Sequence, residues 1–320
     1  MRYSRQIVFE KIGNDGQEKI KKANVTILGL GAIGSKSAEL LTRAGIGSLI
    51  LIDRDIVEES NLQRQSLFTE QDINQPKAIV AKAHLEKINS NTKIKAFFKD
   101  INHKNIEEYI KPTIVLDCTD NMQTRFLLNE FCFKKKIPWI YAAIIESTGM
   151  LFSIIPEKTP CLTCIFNEIN QPLDSCDVSG IINTIAPLAS SIQTTEALKY
   201  IIHKSTTKDL LYFDVWKNKI EKIRVSKQSS CPTCNSNFSY LSGEKINEAI
   251  KLCGTNSYQI QGPKLKLKEV ANKLEKIDNV ILNDYCLLFK ELTIFNDGRA
   301  LIKAQNEKQA RSIYTKYIGY

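Results

Sequence analysis

The sequence predicts an α/β fold, in which a mostly parallel sheet carries flanking helices and an antiparallel extension, followed by a small C-terminal α+β segment. Three observations predict this fold. An apolar run over residues 25–28 ends in a Gly-x-Gly-x-x-Gly turn, a helical pattern follows over 35–44, and a second apolar run over 48–52 ends at Asp53. Strand, turn, helix and strand in this order are typical of a parallel sheet.

The same alternation continues toward residue 150. The polar stretch 56–76 is predicted as a loop with short helical pieces. The apolar patterns then predict helices and strands in turn: a helix over 77–89, strands over 93–98 and 113–117, a helix over 124–135 and a strand over 139–143.

After residue 148 the pattern changes. A strand over 149–155 leaves this alternating part of the chain, a long apolar helix covers 184–203, and 210–225 resembles a hairpin. We therefore predict one domain over 1–240 and a small α+β module over 245–320. In that module Asn296, Asp297 and Gly298 mark a hairpin turn, and 307–317 is a closing helix. We hypothesise that the module packs on the core or helps to dock a partner.

Composition excludes several classes of protein. The formal charge is +9, but the lysines are spread along the chain without a basic run, so no nucleic-acid partner is expected. No apolar run is long enough to span a membrane, and the chain starts without a secretory segment. A cytoplasmic protein is the expectation.

The glycine turn indicates a Rossmann-like nucleotide site. Gly29 permits the tight turn, Gly31 lets backbone N–H groups approach a phosphate or a ribose, and Gly34 allows close helix–strand packing. Asp53 is placed to accept hydrogen bonds from ribose hydroxyls. The alternative is a glycine turn that serves packing alone.

Charged residues after this turn suggest a nucleoside triphosphate. Arg64 and Lys77 are cations close in sequence to Asp53, and they suit the neutralisation of phosphate charge. Asp120 ends a predicted strand on the same carboxyl edge, where a carboxylate suits Mg²⁺. The alternative for each residue alone is a solvated loop charge.

Two Cys-x-x-Cys pairs predict a structural zinc site. Cys161 and Cys164 form one pair, and Cys231 and Cys234 form the other. Four cysteine ligands form a closed tetrahedral zinc site without catalytic chemistry. Two unrelated reduced pairs are the alternative. Of the remaining cysteines, Cys118 and Cys132 are expected to be buried, Cys253 and Cys286 have no motif, and Cys176 lies in a polar loop.

Seven motifs together resemble the MoeB/ThiF/HesA-type adenylyltransferases of the ubiquitin-activating-enzyme superfamily. In chain order they are RYSRQI (2–7), GLGAIG (29–34), DRDIVEESNLQRQ (53–65), QPK (75–77), DCTDNMQTR (117–125), PCLTC (160–164) and CPTC (231–234). The resemblance implies ATP-dependent adenylation, with release of pyrophosphate, of the C-terminal glycine of a ubiquitin-like sulfur carrier ending in Gly–Gly. It implies a MoaD- or ThiS-like carrier, in molybdopterin or thiamine thiazole synthesis, and a sulfur donor such as a cysteine desulfurase or a sulfurtransferase.

The resemblance also implies roles for individual residues. Gly31 and Asp53 would hold the adenosine, whereas Lys77 would neutralise phosphate charge. The remaining residues implied to bind ATP with Mg²⁺ are Ser60, Asn61 and Arg64 at the ribose and phosphates, Asp120 at Mg²⁺, and Asn121 beside it.

Two further roles implied by the resemblance involve partners. Arg5 would reach the triphosphate of a neighbouring subunit, which implies a homodimer. Cys176 would form a thioester or a persulfide with the carrier, against the alternative of an ordinary loop cysteine.

Three other functions are weighed against this one. An NAD-dependent oxidoreductase explains the glycine turn but leaves Arg64, Lys77 and Asp120 without a purpose. A non-catalytic partner of an activating enzyme predicts the loss of such residues. A tRNA-modifying cyclase of the same superfamily is not expected to carry a four-cysteine site.

Overall fold

The computed structural model describes residues 2–166, 180–245 and 257–319, together with the backbone of Ala249–Leu252. The chain divides into two compact units: of the described residues, 2–166 and 181–244 belong to one, and Gly180 and the residues from 245 onward belong to the other. One unit contains an eight-stranded sheet and the other a six-stranded sheet. In the described ranges, no helix is both long enough and apolar enough to cross a membrane.

The sheet of the first unit is parallel in its first five strands and antiparallel in its last three. Its strands are β1 (Asn24–Leu28), β2 (Ser48–Asp53), β3 (Lys93–Phe98), β4 (Ile114–Asp117), β5 (Trp139–Ile145), β6 (Thr148–Ile154), β7 (Leu210–Asp214) and β8 (Lys219–Ile223). Their order is β3-β2-β1-β4-β5-β6-β7-β8. The pairs β3-β2, β2-β1, β1-β4 and β4-β5 are parallel, and the later pairs are antiparallel. The predicted fold class is confirmed.

Helices cover this sheet and connect its strands. They are α1 (Ser4–Val8), α2 (Gly13–Lys22), α3 (Ala32–Ala44), α4 (Lys77–Ile88), α5 (Ile106–Tyr109), α6 (Met122–Lys135), α7 (Leu162–Ile165), α8 (Ile185–His203) and α9 (Ser239–Ser242). Short 3₁₀ turns occupy Glu59–Asn61 and Glu70–Asp72, within the stretch predicted as a loop with helical pieces.

Two helices begin earlier than their apolar patterns indicate, because their caps lie earlier. α3 begins at Ala32, directly after Gly31, and it ends where Gly45 takes a left-handed conformation with φ +84°. α6 begins at Met122 because Asn121 caps it, accepting a hydrogen bond from the Thr124 N–H at 2.8 Å. Caps of this kind satisfy backbone groups that the helix itself leaves unpaired.

The centre of the sheet is covered on both faces. All four residues of β4 are buried. Ile114 and Leu116 belong to one hydrophobic cluster and Val115 to another. Alternate side chains of a strand point to opposite faces, so helices must cover both sides. The functional groups are therefore left at the ends of the strands.

The second unit is an antiparallel sheet with two helices. Its elements are β9 (Ala249–Leu252), β10 (Ser257–Gln261), α10 (Leu267–Leu274), β11 (Ile281–Leu282), β12 (Cys286–Phe289), β13 (Leu292–Phe295), β14 (Arg299–Lys303) and α11 (Glu307–Tyr317). The strand order is β11-β12-β13-β14-β10-β9. The hairpin turn lies where it was predicted, and Gly298 in it has φ +91°. This unit has a core of its own, which includes Leu287, Ile294 and Tyr314.

Candidate functional site

The carboxyl ends of the parallel strands bring distant residues to one edge of the sheet. β1, β2, β3 and β4 are neighbours and parallel, so all four end at the same edge. Gly29 follows β1, Asp53 ends β2, Asp100 follows β3 closely and Asp117 ends β4. Ligands of open α/β sheets bind at such an edge.

The three glycines of the turn have different physical roles. Gly29 has φ +90°, and a Cβ on it would lie 2.5 Å from the Cys118 carbonyl oxygen. A Cβ on Gly34 would lie 1.9 Å from the Gly29 carbonyl oxygen. Among the described residues, a Cβ on Gly31 would meet only the Gln65 Nε2, at 3.9 Å. Packing therefore explains Gly29 and Gly34, whereas Gly31 leaves open space at the N-terminus of α3, where phosphates bind readily.

Asp53 ties the glycine turn to the end of β2. Its Oδ2 accepts a hydrogen bond from the Leu30 N–H at 2.5 Å, and its Oδ1 accepts one from the Asp55 N–H at 2.7 Å. Burial raises the pKa of Asp53 to about 6, against the attraction of Lys77. The carboxylate is thus ionised at neutral pH, and sequence reasoning had not foreseen its backbone partners.

A network of charges that is buried at Arg54 and Lys77 and exposed at Asp120 lies next to Asp53. The Lys77 Nζ is 3.7 Å from an Asp55 carboxylate oxygen. The Arg54 Nη1 donates a hydrogen bond to Asp100 at 3.2 Å, and its Nη2 lies 3.6 Å from Asp120. The Arg54 Nε lies 3.9 Å from the other Asp55 oxygen. Lys77 and Asp120 are therefore linked through Asp55 and Arg54.

The loop that carries Asp120 is fixed from beneath. The Asp117 Oδ1 accepts hydrogen bonds from the Thr119 N–H at 3.0 Å and from the Thr119 hydroxyl at 2.7 Å. Arg125 on α6 donates to the Thr119 carbonyl oxygen and lies 3.5 Å from the Asp117 Oδ2. The Asp120 side chain remains 51% exposed, so it can meet a ligand from solvent.

The other residues predicted to bind nucleotide make contacts within their own segments. The Arg64 Nη1 donates to the Ser60 carbonyl oxygen at 2.9 Å, in its own loop rather than in the network around Arg54. Asn61 is buried and its Oδ1 accepts from the Glu58 N–H at 3.3 Å. Asn121 caps α6, and Arg5 is exposed on α1. Nucleotide roles for these residues stay predictions.

Sequence reasoning missed several residues of this site. Arg54 and Asp55 follow β2 directly, and Asp100 follows β3, so the strand-end rule could have found all three. Gln65 gave no such signal. It is buried, its Oε1 has no hydrogen-bond partner among the described residues, and its Nε2 faces Gly31. A buried amide oxygen of this kind fits a site that a polar ligand completes.

The four cysteines of the two Cys-x-x-Cys pairs come together. Their sulfur atoms all lie within 4.8 Å of one another. The Cys161 sulfur is 3.5 Å from that of Cys231 and 3.6 Å from that of Cys234, and the Cys164 sulfur is 3.6 Å from that of Cys234. Zinc bound by four thiolates at 2.3 Å needs sulfurs about 3.8 Å apart. The cluster has the geometry of a metal site.

A buried polar network supports this cluster. The Asn129 Nδ2 on α6 donates to the Thr163 hydroxyl at 3.1 Å and to the Thr233 hydroxyl at 3.3 Å. The Asn129 Oδ1 accepts from the Leu162 N–H at 2.9 Å, and the two threonine hydroxyls are 2.9 Å apart. Each threonine lies inside one of the Cys-x-x-Cys pairs, so Asn129 fixes the position of one pair relative to the other.

The remaining cysteines differ from the cluster. Cys118 and Cys132 are buried as expected, and burial raises the pKa of both thiols. Cys286 is buried in the second unit. Cys176 and Cys253 lie outside the described residues.

Comparisons with known proteins agree along most of the chain. Residues 3–233 match the ThiF family. The sulfur carrier protein ThiS adenylyltransferase of Bacillus subtilis (strain 168) is 39% identical, over 99% of this chain and 99% of its own length. Its namesake in Escherichia coli (strain K12) is 34% identical, over 73% of this chain and 94% of its own length.

Solved structures give the same fold. The crystal structure of E. coli MccB with ATP superposes with a TM-score of 0.67 at 26% identity, and the match covers 73% of each chain. Neither an oxidoreductase nor a cyclase is favoured, and a four-cysteine cluster is present. The chain belongs to the ThiF family, and it is an adenylyltransferase of that family.

Proposed function

We propose that this enzyme adenylates the C-terminal glycine of a ThiS-like sulfur carrier in the cytoplasm and thereby activates it for sulfur transfer in thiamine thiazole synthesis. The observation that carries the proposal is the charge network of Lys77, Asp55, Arg54 and Asp120, on the sheet edge that also holds the open turn at Gly31. The choice of carrier follows the Bacillus subtilis relative, which is similar over 99% of both chains.

The reaction brings two anions together. The carrier carboxylate attacks the α-phosphate of ATP, the bond to the β-phosphate oxygen breaks, and pyrophosphate leaves. No general base is needed because the carboxylate is ionised near neutral pH. The chain therefore has to align the two reactants and offset their repulsion, which are the tasks of positioned cations and amides.

Residues of the edge suit these tasks. The amides at the N-terminus of α3 and the space at Gly31 suit the sugar–phosphate part, with Asp53 at the ribose. Lys77, together with Ser60, Asn61 and Arg64 from the adjoining loop, suits the phosphates. Asp120, with Asn121 beside it, would hold Mg²⁺, which neutralises charge on the leaving pyrophosphate.

We propose zinc for the four-cysteine cluster. All four ligands come from the protein, which leaves no position for substrate, so the metal would be structural.

Further partners are part of the proposal. Arg5, exposed on α1, would reach the ATP of a second subunit in a homodimer. A cysteine desulfurase or a sulfurtransferase would supply sulfur. The Cys176 thiolate would attack the carbonyl carbon of the adenylate and displace AMP, which leaves the carrier as a thioester on Cys176. Residues 245–320 would help to dock the carrier, and the Bacillus subtilis relative is similar along this part too. Removing them tests the last point, because an unchanged affinity for the carrier would refute it.

Pyrophosphate exchange tests the reaction. Labelled pyrophosphate should enter ATP only when a ThiS-like carrier ending in Gly–Gly is present. A carrier that lacks its last glycine is the matched control and should support no exchange. A wild-type enzyme that exchanges label equally well without any carrier would overturn the proposal.

A further inference from the structure

Arg54 is a buried cation shared by three carboxylates from three strand ends. Its Nη1 binds Asp100 after β3, its Nη2 lies 3.6 Å from Asp120 after β4, and its Nε lies 3.9 Å from Asp55 after β2. A planar guanidinium can present a separate nitrogen to each carboxylate, which a lysine ammonium cannot do in fixed directions. Arg54 thus joins the ends of neighbouring strands.

Carboxylates and cations lie close together at this edge. Asp53, Asp55, Asp100 and Asp120 carry four negative charges when ionised, whereas Lys77 and Arg54 carry two positive charges. Burial alone would lower the pKa of Arg54, but Asp100, Asp120 and Asp55 together raise it, so the guanidinium stays charged.

The contacts of Arg54 with Asp100 and with Asp120 differ in distance and in exposure to solvent. The Asp100 carboxylate accepts a hydrogen bond from it at 3.2 Å. The Asp120 carboxylate lies at 3.6 Å and is 51% exposed. A metal that reaches Asp120 can therefore displace this contact while Arg54 keeps its bond to Asp100.

We propose that Arg54 is the resident counter-ion of Asp120 and makes the binding of a divalent metal dependent on nucleotide. The inference rests on the proposed function, which places Mg²⁺ at Asp120. Without nucleotide, the guanidinium occupies Asp120 and repels an incoming cation. With a triphosphate present, the phosphate oxygens add negative charge and ligands, and the metal can replace Arg54 at Asp120.

Metal binding without turnover tests the proposal. Free Mn²⁺ is titrated by electron paramagnetic resonance into nucleotide-free enzyme, wild type and Arg54→Gln, with circular dichroism as the test of folding. The variant should bind Mn²⁺ about tenfold more tightly or better, because one like charge near the metal has gone. Equal affinity in a folded variant overturns the proposal.

Three comparisons make the result specific. Arg43→Gln removes the same charge from an exposed side chain, whose Nε lies 2.7 Å from Glu39, and should change nothing. Arg54→Lys keeps the charge and should keep nucleotide-free binding weak. The double variant Arg54→Gln, Asp120→Asn should not show the tighter Mn²⁺ binding of Arg54→Gln. That result would show that the tighter binding occurs at Asp120.

The wild type alone also tests the inference if the glutamine variant does not fold. Mn²⁺ should bind far more tightly with a non-hydrolysable ATP analogue than without it, and Asp120→Asn should abolish most of this difference. Equal affinity with and without the analogue overturns the proposal. Failure of carrier-dependent pyrophosphate exchange in the wild type would instead overturn the proposed function, because metal binding is measured without turnover.

Discussion

The sheet edge at Gly31 and the four-cysteine cluster are both groups of potential ligands, but they are built differently. At the edge, oxygen ligands outnumber the cations, the Asp120 side chain is 51% exposed, and Gly31 borders open space. In the cluster, three of the four cysteines are buried, and Asn129, also buried, fixes the segments that carry them. The first suits ligands that come and go, and the second suits a metal that stays.

One helix connects the two sites. The start of α6 carries Asn121 and Arg125, which fix the loop of Asp120, and its middle carries Asn129, which fixes the cysteine pairs. A rigid helix transmits a displacement at one end to the other. Loss of the metal is therefore expected to disturb the edge as well.

The largest effect is expected from breaking the cluster. Cys231→Ser removes a buried ligand, so the protein should lose its metal and more than about 4 kcal/mol of unfolding free energy. Metal analysis and urea unfolding measure both losses. Cys132→Ala is the control because Cys132 is fully buried but outside the cluster, and it should retain the metal. Full metal content in Cys231→Ser would contradict the site.

The next effect concerns the edge. Asp120→Ala should slow carrier-dependent pyrophosphate exchange by a factor of about 100–1,000, since removal of one electrostatic group costs about 3–4 kcal/mol of barrier. Because the side chain is half exposed, unfolding free energy should change by less than about 1 kcal/mol. Wild-type exchange in this variant would remove Asp120 from the site.

A smaller effect is expected at the support of the cluster. Asn129→Leu leaves the Leu162 N–H without its acceptor, so it should lower the unfolding free energy by about 2–3 kcal/mol. The metal should still bind but should be lost faster to a chelator, which a colorimetric assay follows. Asn129→Asp keeps an acceptor but buries a charge, so a variant as stable as wild type would argue against the network.

The sequence predicts the strand ends well but not the side-chain pairings. The apolar runs end at Asp53 and Asp117, and parallel strands must end together, so the site's edge could be predicted. Arg54 pairs with Asp100 and Asp120, which are 46 and 66 positions away, and no periodicity reports such pairs. Arg64 illustrates the same limit, because its guanidinium binds its own loop.

Polar residues inside helices are a second limit. Asn129 lies in the middle of α6 and is fully buried, although asparagine is mostly exposed in proteins. Its partners Thr163 and Thr233 belong to segments 34 and 104 residues away. The cysteine spacing predicts the cluster, but only the fold shows what holds it.

The smallest expected effect is a change in the KM for ATP with pH, which distinguishes the role of Asp53 in binding from its contribution to stability. Since burial raises the pKa of Asp53 to about 6, its carboxylate becomes protonated as the pH falls from 7.5 to 5.5, and the KM for ATP should rise several-fold. Over the same range Asp53 should contribute more to stability, because the folded state binds a proton that the unfolded state, with pKa 3.8, does not bind. The protonation of Asp53 therefore raises the KM without lowering stability. Asp53→Asn should bind ATP weakly at both pH values, so that any dependence left in this variant comes from the phosphates of ATP. If the variant keeps the full pH dependence of wild type, Asp53 is not the titrating group.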